Sequence, residues 1–276
     1  MTVGIVGLGL IGGSFAKAYK KSGHTVYSFD ADKKMLDFAI LSGAVDRELT
    51  FENIKECQLV LLCVYPDDAV EYLSAAAKYI SKETFIIDCC GIKAKVCKAC
   101  FEIAKKHGFT FVGGHPMAGT QYSGFKYSKA SLFKGAYMVL VPPKYDNMAF
   151  LEEIKELLEP AQFAHFSVIN AEEHDRIIAF TSQLAHIVSN AYVKSPTARI
   201  HKGFSAGSYK DLTRVAWLNE VMWSQLCMEN KENIVFELSN IISSLEKYKK
   251  ALEEDNIQEL KELFYEGKKI KHEIDG

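Results

Sequence analysis

No stretch of the sequence is apolar for long enough to cross a bilayer: runs such as residues 59–65 stop far short of the ~20 residues a membrane helix needs. Proline is scarce, with 6 in 276 residues, while 48% of the chain is hydrophobic and 25% charged, which excludes a Pro-rich disordered or fibrous protein. Neither sign of charge prevails. A formal net charge of −2 presents no basic face to a phosphate backbone or an anionic lipid surface, so neither nucleic acid nor membrane is an expected partner. No basic segment followed by an apolar one opens the chain, so a cytoplasmic location is expected. The 7 cysteines are odd in number and lie within apolar runs, which suits reduced thiols better than a disulfide framework. Cys89, Cys90, Cys97 and Cys100 cluster, but the last two fall in a stretch of helical periodicity, and structural zinc usually takes its ligands from loops; no metal is expected.

What is present reads as two domains, since the length exceeds one compact core of ~100–200 residues. Short apolar runs at residues 3–6, 25–29, 59–64, 85–88, 110–112 and 137–141 alternate with amphipathic stretches, the rhythm of βαβ units whose strands are buried on both faces. Beyond residue 168 only helical periodicity remains. Asn170 followed by Glu173 resembles a capping box opening a helix that runs to about Lys194, before Pro196. The expected fold is α/β: a Rossmann-type doubly wound parallel sheet over residues 1–168, then an all-α domain over residues 169–276 packed tightly against it. The amphipathic stretch 234–264 is long enough to pack against a second subunit, so a homodimer is expected.

Gly7, Leu8, Gly9, Leu10, Ile11 and Gly12 follow the first strand directly and open the first helix. In a G-x-G-x-x-G turn the first glycine permits the tight turn, the second lets the backbone approach a pyrophosphate, and the third lets helix and strand pack closely. Asp30 closes the second strand, where an acid accepts hydrogen bonds from ribose hydroxyls. Its charge would repel a 2′-phosphate, and Ala31 and Asp32 follow it instead of an arginine, so NAD is the expected cofactor. Asp32 reads more simply as the cap of the next helix.

Ligands bind beyond the carboxyl ends of strands in such sheets, and His115 lies there, between Gly114 and Pro116, on what reads as a stiff loop. An imidazole at that edge can take the proton of an alcohol as hydride leaves the same carbon. His186, in a long apolar helix, reads equally as a satisfied core histidine, and Arg214 as a carboxylate clamp or a surface ion pair.

Gly113-Gly-His-Pro-Met-Ala-Gly-Thr120 resembles the histidine loop of the prephenate and arogenate dehydrogenase family. Ser182-Gln-Leu-Ala-His186 resembles that family's Ser-x-Leu-Pro-His helix, and Gly207-Ser-Tyr-Lys-Asp-Leu-Thr-Arg-Val-Ala216 its Asp-x-Thr-Arg segment, in the same order. The resemblance implies oxidative decarboxylation of a cyclohexadienol, prephenate or arogenate, with His115 as proton acceptor, Arg214 and His186 holding a carboxylate, and Asp211 orienting Arg214. Three positions depart from the pattern. Gly91, in Asp88-Cys-Cys-Gly-Ile-Lys93, stands where a serine often supports the histidine; Ala185 replaces a proline; and Gln121 replaces a glutamate on the substrate side. Two other readings stay open at this level. A β-hydroxyacid dehydrogenase shares the domain order, although its helical Gly-x-x-x-Lys-x-x-x-Asn is absent. A catalytically silent NAD sensor is the non-enzyme alternative.

Overall fold

A computed structural model describes residues 1–120 and 122–275. Its first half runs β1 (Thr2–Val6), α1 (Leu10–Lys21), β2 (Thr25–Phe29), α2 (Lys33–Leu41), β3 (Arg47–Glu48), β4 (Leu59–Leu62), α3 (Pro66–Ala76), β5 (Phe85–Asp88), α4 (Ala94–His107), β6 (Thr110–Pro116), β7 (Tyr137–Val141), α5 (Met148–Leu158) and β8 (His165–Val168). The strands form one sheet in the order β3-β2-β1-β4-β5-β6-β7-β8. Period-two alternation distributes its central strands between two cores. Ile5, Leu59, Leu61 and Ile87 pack on one face with Phe15, Tyr19 and Phe133. Val6, Val60, Leu62 and Ile86 pack on the other with Leu73, Val96 and Phe111. Both faces are therefore covered, and the near-continuous apolar runs follow from that. The chain winds outward from β1 through β2 to β3 and then crosses back to β4, which leaves a crevice beyond the carboxyl ends of β1 and β4.

The sheet is parallel from β3 through β6, but β7 pairs with β6 antiparallel and β8 with β7 parallel. A parallel return needs a helical crossover, and between β6 and β7 the described residues hold only the short 3₁₀ turn Phe125–Tyr127. This pairing corrects the expected loop around His115. Gly113 through Pro116 find partners on β7, with His115 opposite Val139, so β6 extends past residue 112 and carries the histidine on a strand.

From Ala171 onward the regular elements among the described residues are helices, with no strand: α6 (Ala171–Ile178), α7 (Ala185–Tyr192), α8 (Gly207–Thr213), α9 (Glu220–Glu229), α10 (Lys231–Glu253) and α11 (Ile257–Asp275). Asn170 caps α6, accepting the Glu173 N–H at 2.7 Å. The long helix expected there is present, but Ala179–Leu184 form a π turn between α6 and α7. The expected stretch 234–264 is two helices. Asp255 takes a left-handed φ of 51°, the Asn256 side chain accepts the Glu259 N–H at 3.1 Å, and α11 folds back until the Tyr248 and Phe264 rings lie 5.3 Å apart. Among the described residues no helix is long and apolar enough to cross a membrane.

Candidate active site

Backbone geometry explains the glycine turn. Gly7 has φ +91°, and a Cβ there would sit 2.6 Å from the Cys63 carbonyl oxygen; one on Gly12 would sit 1.8 Å from the Gly7 oxygen. A Cβ on Gly9 would meet nothing within 4 Å, so the second glycine faces open space. No side chain caps α1 at Gly9, and Leu10 and Ile11 begin the helix with their backbone N–H groups toward that opening. The buried Leu8 ties the turn to the second strand by donating its N–H to Asp30 Oδ2 at 2.6 Å. Asp30 Oδ1 accepts the Asp32 N–H at 2.8 Å, and Asp32 caps α2 through the Lys34 N–H. Each Asp30 oxygen keeps a second acceptor position. The open face at Gly9, the uncapped helix start and the adjacent carboxylate fit the phosphates and ribose of NAD.

A phosphate about 4 Å from a carboxylate costs roughly 1–4 kcal/mol between bulk water and a partly buried surface. NAD should therefore exceed NADP in kcat/KM by on the order of 10-fold or more, and Asp30→Asn should narrow the gap. Steady-state kinetics with both cofactors checks this, and equal specificity constants would remove Asp30 from the ribose site.

At the other side of the crevice, Lys93 and Asp88 are both fully buried and in contact. The Lys93 ammonium also donates to the Gly114 carbonyl at 2.6 Å, while Asp88 Oδ1 accepts the Gly114 N–H at 3.1 Å and Oδ2 the Cys90 N–H at 3.0 Å. Burial works against the charge on Lys93, but Asp88 outweighs it and raises the lysine pKa. The backbone of Gly114 is thus held at both its donor and its acceptor, immediately before His115.

His115 is partly buried, and its Nδ1 lies 2.9 Å from His174 Nε2. His174 Nδ1 lies 2.7 Å from Asp175 Oδ1, and Asp175 in turn accepts the backbone N–H groups of Lys93 at 2.7 Å and Ala94 at 2.8 Å, capping α4. Asn230 donates to the Asp175 carbonyl at 2.8 Å and to Gln183 Oε1 at 2.6 Å, which anchors this corner to α10. Burial, reinforced by His174 and the Lys93 charge, pushes the His115 imidazole well below its ordinary value; burial also lowers His174, against the pull of Asp175.

His186 lies half-buried on α7, donating from Nδ1 to the Ser182 carbonyl at 2.8 Å and packing its ring, tilted by 31°, against Trp223 with the centroids 4.0 Å apart. Burial lowers its pKa and the charge of Arg214 lowers it further, which brings these two residues into one neighbourhood. No hydrogen bond joins this group to His115 among the described residues.

The expected orientation of Arg214 by Asp211 is not found: the structure gives no hydrogen bond or ion pair between them. Both are exposed near the end of α8, where ordering two solvated side chains costs about as much as their attraction returns. Gln121 lies outside the described residues. At Gly91 a Cβ would meet only the Leu226 methyls, at 3.5 and 3.8 Å, so packing does not demand glycine there. The hydrogen-bond partner of His115 is His174, held by Asp175; neither belongs to a motif singled out in the sequence, whereas Lys93 closes the Asp88–Lys93 turn that was quoted without a role for it. Glu172-Glu173-His174-Asp175 reads as an acidic helix start, and the only local signal was a histidine beside an aspartate.

A family model described as "Prephenate dehydrogenase, nucleotide-binding domain" matches residues 15–166, and one described as "Prephenate dehydrogenase, dimerization domain" matches residues 170–266. A prephenate dehydrogenase of Bacillus subtilis is 30% identical over 94% of this chain and 72% of its own. A cyclohexadienyl dehydrogenase of Zymomonas mobilis is 30% identical over 98% of this chain and 94% of its own. The crystal structure of prephenate dehydrogenase from A. aeolicus with hydroxyphenyl propionate and NAD+ superposes with a TM-score of 0.81 at 29% identity, covering 100% of this chain and 98% of that one.

Proposed function

The chain belongs to the prephenate dehydrogenase family and is an NAD-binding oxidoreductase, and from that premise we propose that its own reaction is the oxidative decarboxylation of prephenate to 4-hydroxyphenylpyruvate, on the route to tyrosine. The observation that carries the proposal is the position of His115 at the carboxyl end of β6, in the same sheet whose first turn forms the dinucleotide cradle. Residues 1–168 hold NAD through Gly7, Leu8, Gly9, Leu10, Ile11, Gly12 and Asp30; residues 169–276 supply substrate contacts and the subunit interface. NAD supplies the hydride acceptor. The burial that lowers the His115 pKa keeps its ring neutral at physiological pH, ready to take the proton of the ring hydroxyl. Loss of the ring carboxylate as carbon dioxide then leaves an aromatic phenol, and aromatisation drives the reaction. Arg214 provides the charge for a substrate carboxylate and His186 a hydrogen bond beside it. The exposed apolar residues Val235, Phe236, Ile242 and Leu245 of α10 suit a symmetric dimer through the helical domain.

Two features favour prephenate over arogenate. The B. subtilis relative carries the name prephenate dehydrogenase, and Gln121, at the position of the family's glutamate, is uncharged. An amide can donate to the keto oxygen of prephenate but cannot neutralise the ammonium of arogenate, a difference of ~1–2 kcal/mol. Purified protein with NAD and either substrate, followed at the reduced-nicotinamide absorbance, should turn over prephenate with the higher kcat/KM. Gln121→Glu should move the ratio toward arogenate. A wild type that prefers arogenate would refute the assignment.

A further inference from the structure

The hydrogen-bond chain from Asp175 to His115 determines where the protons sit. Asp175 Oδ1 already accepts from the Lys93 backbone and can only accept, so His174 Nδ1, 2.7 Å away, carries a hydrogen. A neutral imidazole has one N–H, so His174 Nε2 is an acceptor. It faces His115 Nδ1 at 2.9 Å, which must therefore donate, leaving the lone pair of His115 on Nε2. A protonated His174 would reverse the outcome: both its nitrogens would donate, His115 Nδ1 would have to accept, and the hydrogen of His115 would move to Nε2.

We propose that His174, held by Asp175, is the positioning residue that fixes His115 as its Nδ1–H tautomer and aims the unprotonated Nε2 at the substrate hydroxyl. This rests on reading His115 as the base. The partner of His115 is thus supplied by α6 of the helical half of the chain, across from the sheet that carries the base. His174 and Asp175 are nearly solvent-free, and the groups facing the chain are few: Lys93 and Asp88 from the end of β5 and the start of α4 stand beside it. Burial keeps His174 in its neutral form, as the assignment requires. Because Asp175 also caps α4, a substitution there would disturb the fold as well as the tautomer, so the test falls on His174.

The whole protein, labelled with ring-¹⁵N histidine and saturated with NAD near neutral pH, reports the tautomer directly, with His115 assigned by its missing signals in His115→Asn. Wild type should show a protonated Nδ1 and an unprotonated Nε2 on His115. His174→Gln, whose amide oxygen can accept where Nε2 did, should keep that pattern and most of kcat. His174→Phe should lose the pattern and ~10²-fold in kcat, the direction known for a base held in the wrong tautomer, with KM for NAD unchanged. An Nε2–H His115 in wild type overturns the proposal, as does a His174→Gln enzyme no faster than His174→Phe. The base assignment fails separately: full turnover by His115→Asn would end it, while the wild-type tautomer spectrum would still decide the role of His174.

Discussion

Replacing His115 with asparagine should lower kcat by ~10²–10⁴-fold, the range for loss of a general base, with NAD affinity unchanged. Asparagine is the informative replacement because its amide nitrogen can stand where Nδ1 stands and donate to His174, so the local network survives while the Nε2 base is gone. The glycine turn and Asp30 follow β1 and β2, away from β6, and should bind NAD as before. Equilibrium titration with NAD and single-turnover measurement with prephenate separate the two effects, and near-normal turnover would end the assignment. The wild-type pH profile gives a second check. Burial depresses the pKa of His115 well below its ordinary ~6.5, so the ring stays neutral as pH falls through that value and protonates only lower. The acid limb of kcat/KM, which reports the free enzyme, should accordingly lie below pH ~6.5. An acid limb above that value would mean the ring is more hydrated than its position implies.

Much of this was legible in the amino-acid order because it is local. The glycine turn depends on a strand, three glycines and a helix within a dozen positions, and an acid at the end of the next strand; each constraint is expressed in neighbouring residues. The α6 start was legible for the same reason, since Asn170 and the residue it caps are three apart. What escaped is non-local. Nothing near His115 indicates that β7 will pair with it and turn an expected loop into strand. Nor does the acidic start of α6 announce that His174 and Asp175 reach across to β6 and α4, in the other half of the chain. The break between α10 and α11 had a readable sign, Asp255 and Asn256 being turn formers, but the amphipathic pattern on either side masked it.

The same non-local logic makes Lys93 the residue whose loss should cost most in stability. Its side chain and that of Asp88 are 0% exposed, so removing the ammonium leaves a carboxylate without solvent or counter-charge, a change that typically costs ~3–5 kcal/mol. Lys93→Met keeps the length and apolar stem of the side chain, so the loss isolates the charge and its hydrogen bonds from packing. The melting temperature should fall by ~10 °C. Lys93→Met combined with Asp88→Asn should be more stable than the sum of the two single changes, because no charge then remains unpaired; the non-additivity measures the pair. Function should suffer beyond stability, since Lys93 holds the Gly114 carbonyl next to His115. At a temperature where Lys93→Met is fully folded, kcat should still be reduced while NAD affinity is kept. Additive losses in the double variant would show that Asp88 does not depend on the lysine, and an unimpaired kcat would show that the His115 strand holds its place without it.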